Sequence, residues 1–192
     1  MAEERVGQVV FEAEEIAAAV RRLARAIAAD ASGEPLLLVG VLKGALFFVA
    51  DLARALPPSL DVRVDYVAAA SYGDSHRSSG QVRLLKDTSQ SVEGKQVVLV
   101  EDIVENGWTL QYLSGLFQAR RPASLRSCTL LDKPYHRRTE VAPTYVGLRV
   151  PDAFIVGYGL DYQEKYRHLP YLAKIAPCAS GETRGRPGNK EA

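Results

Sequence analysis

Residues 97–110 read VVLVEDIVENGWTL, and the change of character within that stretch decides the fold. It opens as part of an apolar strand over 96–100 and sets two carboxylates, Glu101 and Asp102, at the strand's end. A third acid, Glu105, precedes an Asn-Gly turn at Asn106 and Gly107, and Trp108 then leads into a helix over about 109–119. Strand, turn and helix in that order make one β-α unit, and the chain repeats the theme on both sides. Residues 36–42 (LLLVGVL) are a continuous apolar run, the pattern of a strand buried on both faces. Ile16, Val20, Leu23 and Ile27 recur at helical spacing, which predicts a helix over 12–29. Residues 44–56 read as an apolar helix stopped by Pro57 and Pro58. Further extended segments are expected at 61–70, 81–86, 124–131, 145–150, 154–157 and 172–175. The polar stretch 71–80 (SYGDSHRSSG) lacks periodicity and predicts a mobile loop, and the glycine-rich tail 177–192 predicts disorder. Alternating strands and helices with two-sided apolar strands give an α/β fold around a mainly parallel central sheet flanked by helices.

In such folds ligands bind at the carboxyl ends of the strands, near helix N-termini. The corner at 100–110 is such a place. Consecutive amides from Glu105 to Thr109, with Gly107 free to take positive φ, can point inward as a nest for an anion. The following helix adds about half a positive charge at that end. Thr109 brings a hydroxyl and Asn106 an amide, so a phosphate fits the loop. Carboxylates do not bind phosphate directly. Glu101 and Asp102 therefore suit sugar hydroxyls or a hydrated Mg²⁺, and the combination suggests a phosphorylated sugar. A helix cap would account for one acid, hardly for three. No G-x-x-x-x-G-K-[ST] sequence occurs, and Gly157-Tyr158-Gly159 lacks the third glycine of a dinucleotide fingerprint.

Composition bounds the partners. The chain has 192 residues, enough for one domain, with 47% hydrophobic and 24% charged residues, as in an ordinary soluble globular protein. Lys plus Arg (24) nearly balances Asp plus Glu (23), so there is no basic excess to hold nucleic acid by bulk charge. No apolar run reaches the roughly 20 residues of a membrane span, and the acidic start MAEERVGQVVFEAEE is no signal peptide. Cys128 and Cys178 lack metal spacing, and Cys128 reads as a buried thiol. A cytoplasmic protein is expected.

VLVEDIVENGWTL resembles the phosphoribosyl-diphosphate (PRPP) binding motif of the phosphoribosyltransferases. VLKGALFFVADLARAL, SYG…SSGQVRLLKD, LLDKP and VPDAFIVGYGLDYQEKYRHLPYL extend the likeness, from about residue 9 to 177 and in the same order. Together they are similar to the bacterial hypoxanthine-guanine members of the type I purine phosphoribosyltransferase family. The resemblance implies the type I phosphoribosyltransferase fold as a single domain over residues 1–176. Its core would span about 9–150. A small hood would form from the N-terminal residues and about 151–176, and a flexible lid loop would cover the site. It implies transfer of a phosphoribosyl group from PRPP to a six-oxopurine, hypoxanthine or guanine, with Mg²⁺ as cofactor. It also implies a homodimer or homotetramer, with neither membrane nor nucleic acid as partner.

Residue by residue, Lys43 and Gly44 match the pyrophosphate-binding loop, whose Leu-Lys peptide is often cis in the family. Ser71 and Tyr72 match the start of the lid. Glu101 and Asp102 match the acids that address the ribose hydroxyls and the magnesium shell, while Asn106, Gly107, Trp108 and Thr109 fall in the phosphate loop. Lys133 matches the lysine that donates to the six-oxo group. Phe154 matches the aromatic that stacks on the base, and Ile155 the residue whose backbone reads the purine edge. Asp161 matches a second magnesium-linked acid beside the purine, and Arg167 a pyrophosphate contact. Asp161 and Arg167 are expected in a short polar helix. His76, His136 and His168 receive no role.

The loop departs from the family pattern Glu-Asp-x-x-Asp-[Thr/Ser]-Gly-x-Thr. Glu105 replaces the aspartate assigned as acceptor of the purine proton, Asn106 replaces a phosphate-binding hydroxyl, and Trp108 fills the variable position. Two function classes follow: an active purine phosphoribosyltransferase, or a catalytically weak homologue that senses purine nucleotide or PRPP. Lys43, Lys133, Asp161 and Arg167 favour the enzyme, since a pure sensor does not need the pyrophosphate contacts.

Overall fold

The computed structural model describes residues 5–71 and 82–176. Its central sheet has six strands: β2 (Leu36–Leu42), β3 (Val62–Ser71), β4 (Val82–Lys86), β5 (Gln96–Val104), β6 (Ser124–Asp132) and β7 (Tyr145–Arg149). Their order is β4-β3-β2-β5-β6-β7, with β2 and β5 in the middle and only β4 antiparallel to its neighbour. The two-sided apolar runs are buried as expected, and alternate residues serve different layers. Leu36, Leu38, Val98 and Val100 pack with α1 (Ala13–Ala29) and α2 (Leu46–Ala55). Leu37, Val39, Val97 and Leu99 pack with Leu110, Leu113 and Phe117 of α3 (Trp108–Gln118). The sheet is thus a middle layer with helices on both faces. Cys128 lies within it as a buried free thiol, and burial pushes the thiol well above its ordinary range.

Three boundaries differ from the sequence reading, each for a physical reason. β5 runs on through Glu101 and Asp102 to Val104, because β6 continues to pair with it there: Glu101 faces Thr129, Ile103 faces Leu131 and Val104 faces Asp132. The acids therefore stand on a strand and not in a turn. α2 begins at Leu46 instead of Gly44, since residues 43–45 form a turn after β2. Arg5–Phe11 is a strand, β1, which the acidic flanks obscured.

β1 belongs to a second, three-stranded sheet with β8 (Ile155–Val156) and β9 (Leu172–Ala176), in the order β1-β9-β8 and antiparallel throughout. This small sheet brings residues before α1 together with residues after β7, next to the carboxyl ends of the central strands. The proposed lid residue Tyr72, His76, most of the loop 71–80 and the tail with Cys178 lie outside the described residues. Of Ser71 only the backbone is described, at the end of β3 paired with Val82.

Candidate active site

The carboxyl ends of β2, β5 and β6 meet along one edge, and each delivers a charged residue there. At the end of β5, Glu101 is buried, and its Oε2 has no hydrogen-bond partner among the described residues. Burial pushes its carboxyl up to about 8; the neighbouring Asp102 charge adds to the rise and Arg137 offsets part of it. Asp102 is pushed up to about 6, again mainly by burial, against backbone hydrogen bonds and the Arg167 charge, with Asp161 adding to the rise. A carboxyl held buried without a partner is costly unless a ligand completes it. That cost marks the place as a binding site.

The loop then turns sharply. Gly107 takes φ +86 as the N-cap of α3, and an added Cβ would overlap the Thr139 hydroxyl, so only glycine fits. Asn106 Oδ1 accepts from the Trp108 N–H at 2.9 Å, so the side chain takes one amide of the expected anion nest for itself. Its Nδ2 remains the part that can face a ligand. Trp108 and Thr109 are half-buried in the first turn of α3. Arg137, a residue the sequence reading passed over, braces this loop from behind. Its guanidinium donates to the carbonyls of Glu105 (2.9 Å), Val104 (3.2 Å) and Val141 (2.9 Å), and it pairs with Asp132. No periodicity marks such a brace; the only hint is a pair of arginines following a strand end.

At the end of β2, the Leu42–Lys43 peptide is cis, as the resemblance implied. Gly44 lies against the Asp102 carboxylate, and a Cβ on Gly159 would overlap the Gly44 carbonyl oxygen. Two glycines thus let three backbone segments converge. The segment around Asp161 and Arg167 is not a helix. It is a run of turns with isolated bridges, Gly157 to Leu160 and Tyr162 to Lys165, in which Gln163, Glu164 and Tyr166 take positive φ. Arg167 organises it. Nη1 donates to the Gly159 carbonyl at 2.7 Å, and Nη2 meets Asp161 Oδ1 at 2.7 Å and Glu164 Oε2 at 3.5 Å. Lys43 Nζ also reaches Glu164 Oε2, at 3.0 Å. The two expected pyrophosphate contacts, Lys43 and Arg167, therefore converge on a single exposed carboxylate. A cleft of about 640 Å³ opens between this loop and the start of α2, lined by Lys43, Glu164 and Arg167 together with Leu46 and Phe47.

At the end of β6, Lys133 is buried and its Nζ meets Glu105 Oε1 at 2.8 Å and Asp152 Oδ1 at 3.1 Å. Burial opposes its charge, but the two carboxylates outweigh that and hold the ammonium above its ordinary range. Phe154 is exposed and stands edge-on to Tyr162, with centroids 5.5 Å apart and planes at 87°. Ile155 is buried in β8 opposite Lys174. His136, given no role from sequence, places Nε2 at 2.9 and 3.0 Å from the two oxygens of Asp152.

Among the described residues no group of three or more His, Cys, Asp or Glu side chains is gathered closely enough to hold a metal by itself. Glu101 and Asp102 adjoin, while both Asp161 oxygens are engaged, by Arg167 and by the Glu164 N–H at 2.8 Å. Adjoining acids, one of them with an oxygen that has no partner among the described residues, fit an ion that keeps its waters and takes its other ligands from a substrate, as Mg²⁺ does.

A left-handed glycine turn at a helix N-terminus, a buried glutamate with an unpartnered carboxyl oxygen beside it and Lys43 after the adjacent strand fit one class: α/β enzymes that bind phosphorylated sugars at strand ends. Within that class the chain belongs to the phosphoribosyl transferase family, whose domain model matches residues 9–163. It is 46% identical over 178 residues to the hypoxanthine-guanine phosphoribosyltransferase of Mycobacterium avium, covering 90% of this chain and 87% of that one. The relative of the same name from Bacillus subtilis is 43% identical over 173 residues, covering 90% and 95%. A crystal structure of a hypoxanthine-guanine phosphoribosyltransferase from Bacillus anthracis superposes with TM-score 0.83 at 39% identity, covering 91% of this chain and 100% of that one.

Proposed function

We propose that the protein transfers the phosphoribosyl group of PRPP to hypoxanthine and guanine, giving IMP or GMP and pyrophosphate, as a purine-salvage enzyme of the cytoplasm. The observation that carries this is the 2.8 Å contact between Glu105 and Lys133. It joins the end of the phosphate loop to a buried lysine at the adjacent strand end, so a sugar phosphate held by one meets a base read by the other.

In the reaction the bond from the anomeric carbon to pyrophosphate breaks and a bond to a purine nitrogen forms. The electron pair leaves with pyrophosphate, and the purine proton passes to the Glu105 carboxylate as general base. The loop Asn106–Gly107–Trp108–Thr109 holds the 5′-phosphate, and Glu101 and Asp102 address the ribose hydroxyls. Lys43, Gly44 and Arg167 receive the pyrophosphate, which takes the place that Glu164 holds against both cations. Lys133 donates to the six-oxo group; an ammonium has donors only and so favours an oxo over an amino substituent. Phe154 stacks on the base and the Ile155 backbone reads its edge, with Asp161 beside it. Glu101 and Asp102, joined by Asp161 once PRPP draws Arg167 away from it, would hold Mg²⁺ together with PRPP, and the ion would supply charge neutralisation to the departing pyrophosphate. Positioning and electrostatics carry the rest of the rate.

Residues 1–176 form the single catalytic domain on this reading, with a core of about 9–150 and a hood from the N-terminal residues and 151–176. A homodimer or homotetramer belongs to the same reading, carried over with the resemblance. Nothing in the described site favours the sensor. The test is pyrophosphate release with hypoxanthine, guanine and xanthine, with and without excess EDTA. Turnover that requires PRPP and a six-oxopurine and stops with chelator is expected; undiminished activity in EDTA would sink the metal assignment, and no turnover with any base would sink the transferase.

A further inference from the structure

Lys133 is the one purine-reading side chain whose charge is buried, and its surroundings explain more than its own role. The Lys133 side chain is 10% exposed, whereas those of Glu105 and Asp152, which flank its ammonium, are 44% and 51% exposed. Ion pairs between two exposed partners contribute little. Here burial opposes the cation's charge, and the two carboxylates offset that cost. Asp152 has a second partner. His136 Nε2 lies 2.9 and 3.0 Å from its two oxygens, so a proton on that nitrogen is shared between them. Its charge is favoured by His136 first and Lys133 second, which keep the carboxyl below its ordinary range. Chain order adds to this: Asp152 stands two residues before Phe154, so the residue that anchors the ammonium and the ring assigned to the base share one short segment.

Geometry shows what Asp152 does. An ammonium has three donors and no acceptor. With Glu105 and Asp152 taking two of them, the third has a fixed direction and is left for a ligand. Without Asp152 the ammonium would be held by Glu105 alone and could pivot about that one contact, so the donor meant for the base would lose its fixed direction. We propose that Asp152, which also contacts His136, is a positioning residue that holds the Lys133 ammonium between two carboxylates and so aims the donor that meets the purine's six-oxo group. The inference rests on the transferase reading above.

The experiment compares native protein, Asp152→Asn, Asp152→Glu, His136→Gln, Lys133→Ala and the Lys133→Ala/Asp152→Asn pair. Steady-state KM is measured for hypoxanthine and for PRPP, IMP affinity by calorimetry, and melting temperature for each variant. Asp152→Asn should raise KM for hypoxanthine and weaken IMP by about tenfold, the scale of one lost charge-assisted hydrogen bond, and leave KM for PRPP and melting temperature essentially unchanged. Asp152→Glu should recover part of the loss, and His136→Gln should show a smaller loss of the same kind. In the Lys133→Ala background Asp152→Asn should cost no further IMP affinity, because it acts only through that lysine. Unchanged hypoxanthine KM in Asp152→Asn, an equal loss for PRPP, or an undiminished effect without Lys133 would each overturn the inference. Native protein that neither turns over nor binds IMP would instead overturn the transferase reading, so the two failures are distinguishable.

Discussion

The corner at residues 101–109 and the arm at residues 150–170 face the same site but are built in opposite ways. The corner is regular backbone carrying unfavourable electrostatics. Glu101 and Asp102 stand on a fully paired strand, with Gly107 the single left-handed residue, yet both carboxyls are pushed up by burial. The arm is the reverse. Its ion pairs at Asp161, Glu164 and Arg167 are partly exposed, while Tyr158, Gln163, Glu164 and Tyr166 adopt positive φ without being glycine. Such residues cost about 1–2 kcal/mol each and persist only when other contacts hold them. Those contacts are visible: Arg167 donates to Gly159, the Tyr158 hydroxyl donates to Asp51 at 2.7 Å, and the Glu164 amide donates to Asp161. A rigid sheet can carry misplaced charge for a ligand to satisfy. A segment of turns can instead be shaped to one partner, provided neighbouring side chains lock it.

If the corner does the chemistry, its largest effect is at Glu105. Glu105→Gln keeps size and removes the base, so the single-turnover rate with hypoxanthine should fall by about 10²–10⁴-fold. A variant as fast as native protein would take Glu105 out of the mechanism. Glu105→Asp sharpens the same point: an equal or faster rate would show that the extra methylene is merely tolerated, and a slower one that Asn106 and Trp108 have re-aimed the loop.

If the arm is locked onto the corner through close backbone approach, Gly159→Ala should break the junction. Its Cβ would overlap the Gly44 carbonyl, and Gly159 sits at φ +104, so the arm must move away from the pyrophosphate loop. A displacement of about an ångström at a substrate-positioning loop is worth up to about 10²-fold in rate. PRPP KM and kcat should worsen together, and native kinetics in this variant would mean that the junction is slack.

A smaller effect tests the buried charge of the corner. In the folded protein Glu101 keeps its proton up to about pH 8, while an ordinary glutamate releases it near 4.5. The folded state therefore binds more protons across that interval, and stability falls as pH rises through it. Without PRPP or Mg²⁺, Glu101→Gln should remove this slope and be more stable than native protein at pH 8 by about 1–3 kcal/mol, with little gain at pH 4.5. Melting curves of both proteins at the two pH values check it; a gap between native protein and Glu101→Gln that is the same at pH 4.5 and pH 8 would show that Glu101 ionises without cost.

How much of this was legible from sequence follows the same division. Two-sided apolar runs and the strand–turn–helix at 97–110 carried the central sheet, because periodicity reports burial on a regular backbone. The glycine turn was legible because Asn106-Gly107 has few other uses. The arm was not. Polar residues around Asp161 and Arg167 suggested a helix, but its turns are set by Arg167 reaching back to Gly159, a tertiary contact with no local signature. β1 was missed because its pairing with β9 joins opposite ends of the chain. Asp152 and His136 were missed for a related reason: each looks like a surface charge until Lys133 is seen buried beside it.

The two regions divide the nucleotide, with the corner holding the ribose and its 5′-phosphate and Phe154 of the arm stacking on the base. Calorimetry on Phe154→Ala tests this division most directly, since the ring is exposed and its removal leaves the core intact. IMP binding should weaken by about tenfold or more, the usual worth of an aromatic stacked on a base, while PRPP with Mg²⁺ binds as in native protein. Equal losses for both ligands, or no loss of IMP affinity, would contradict the account.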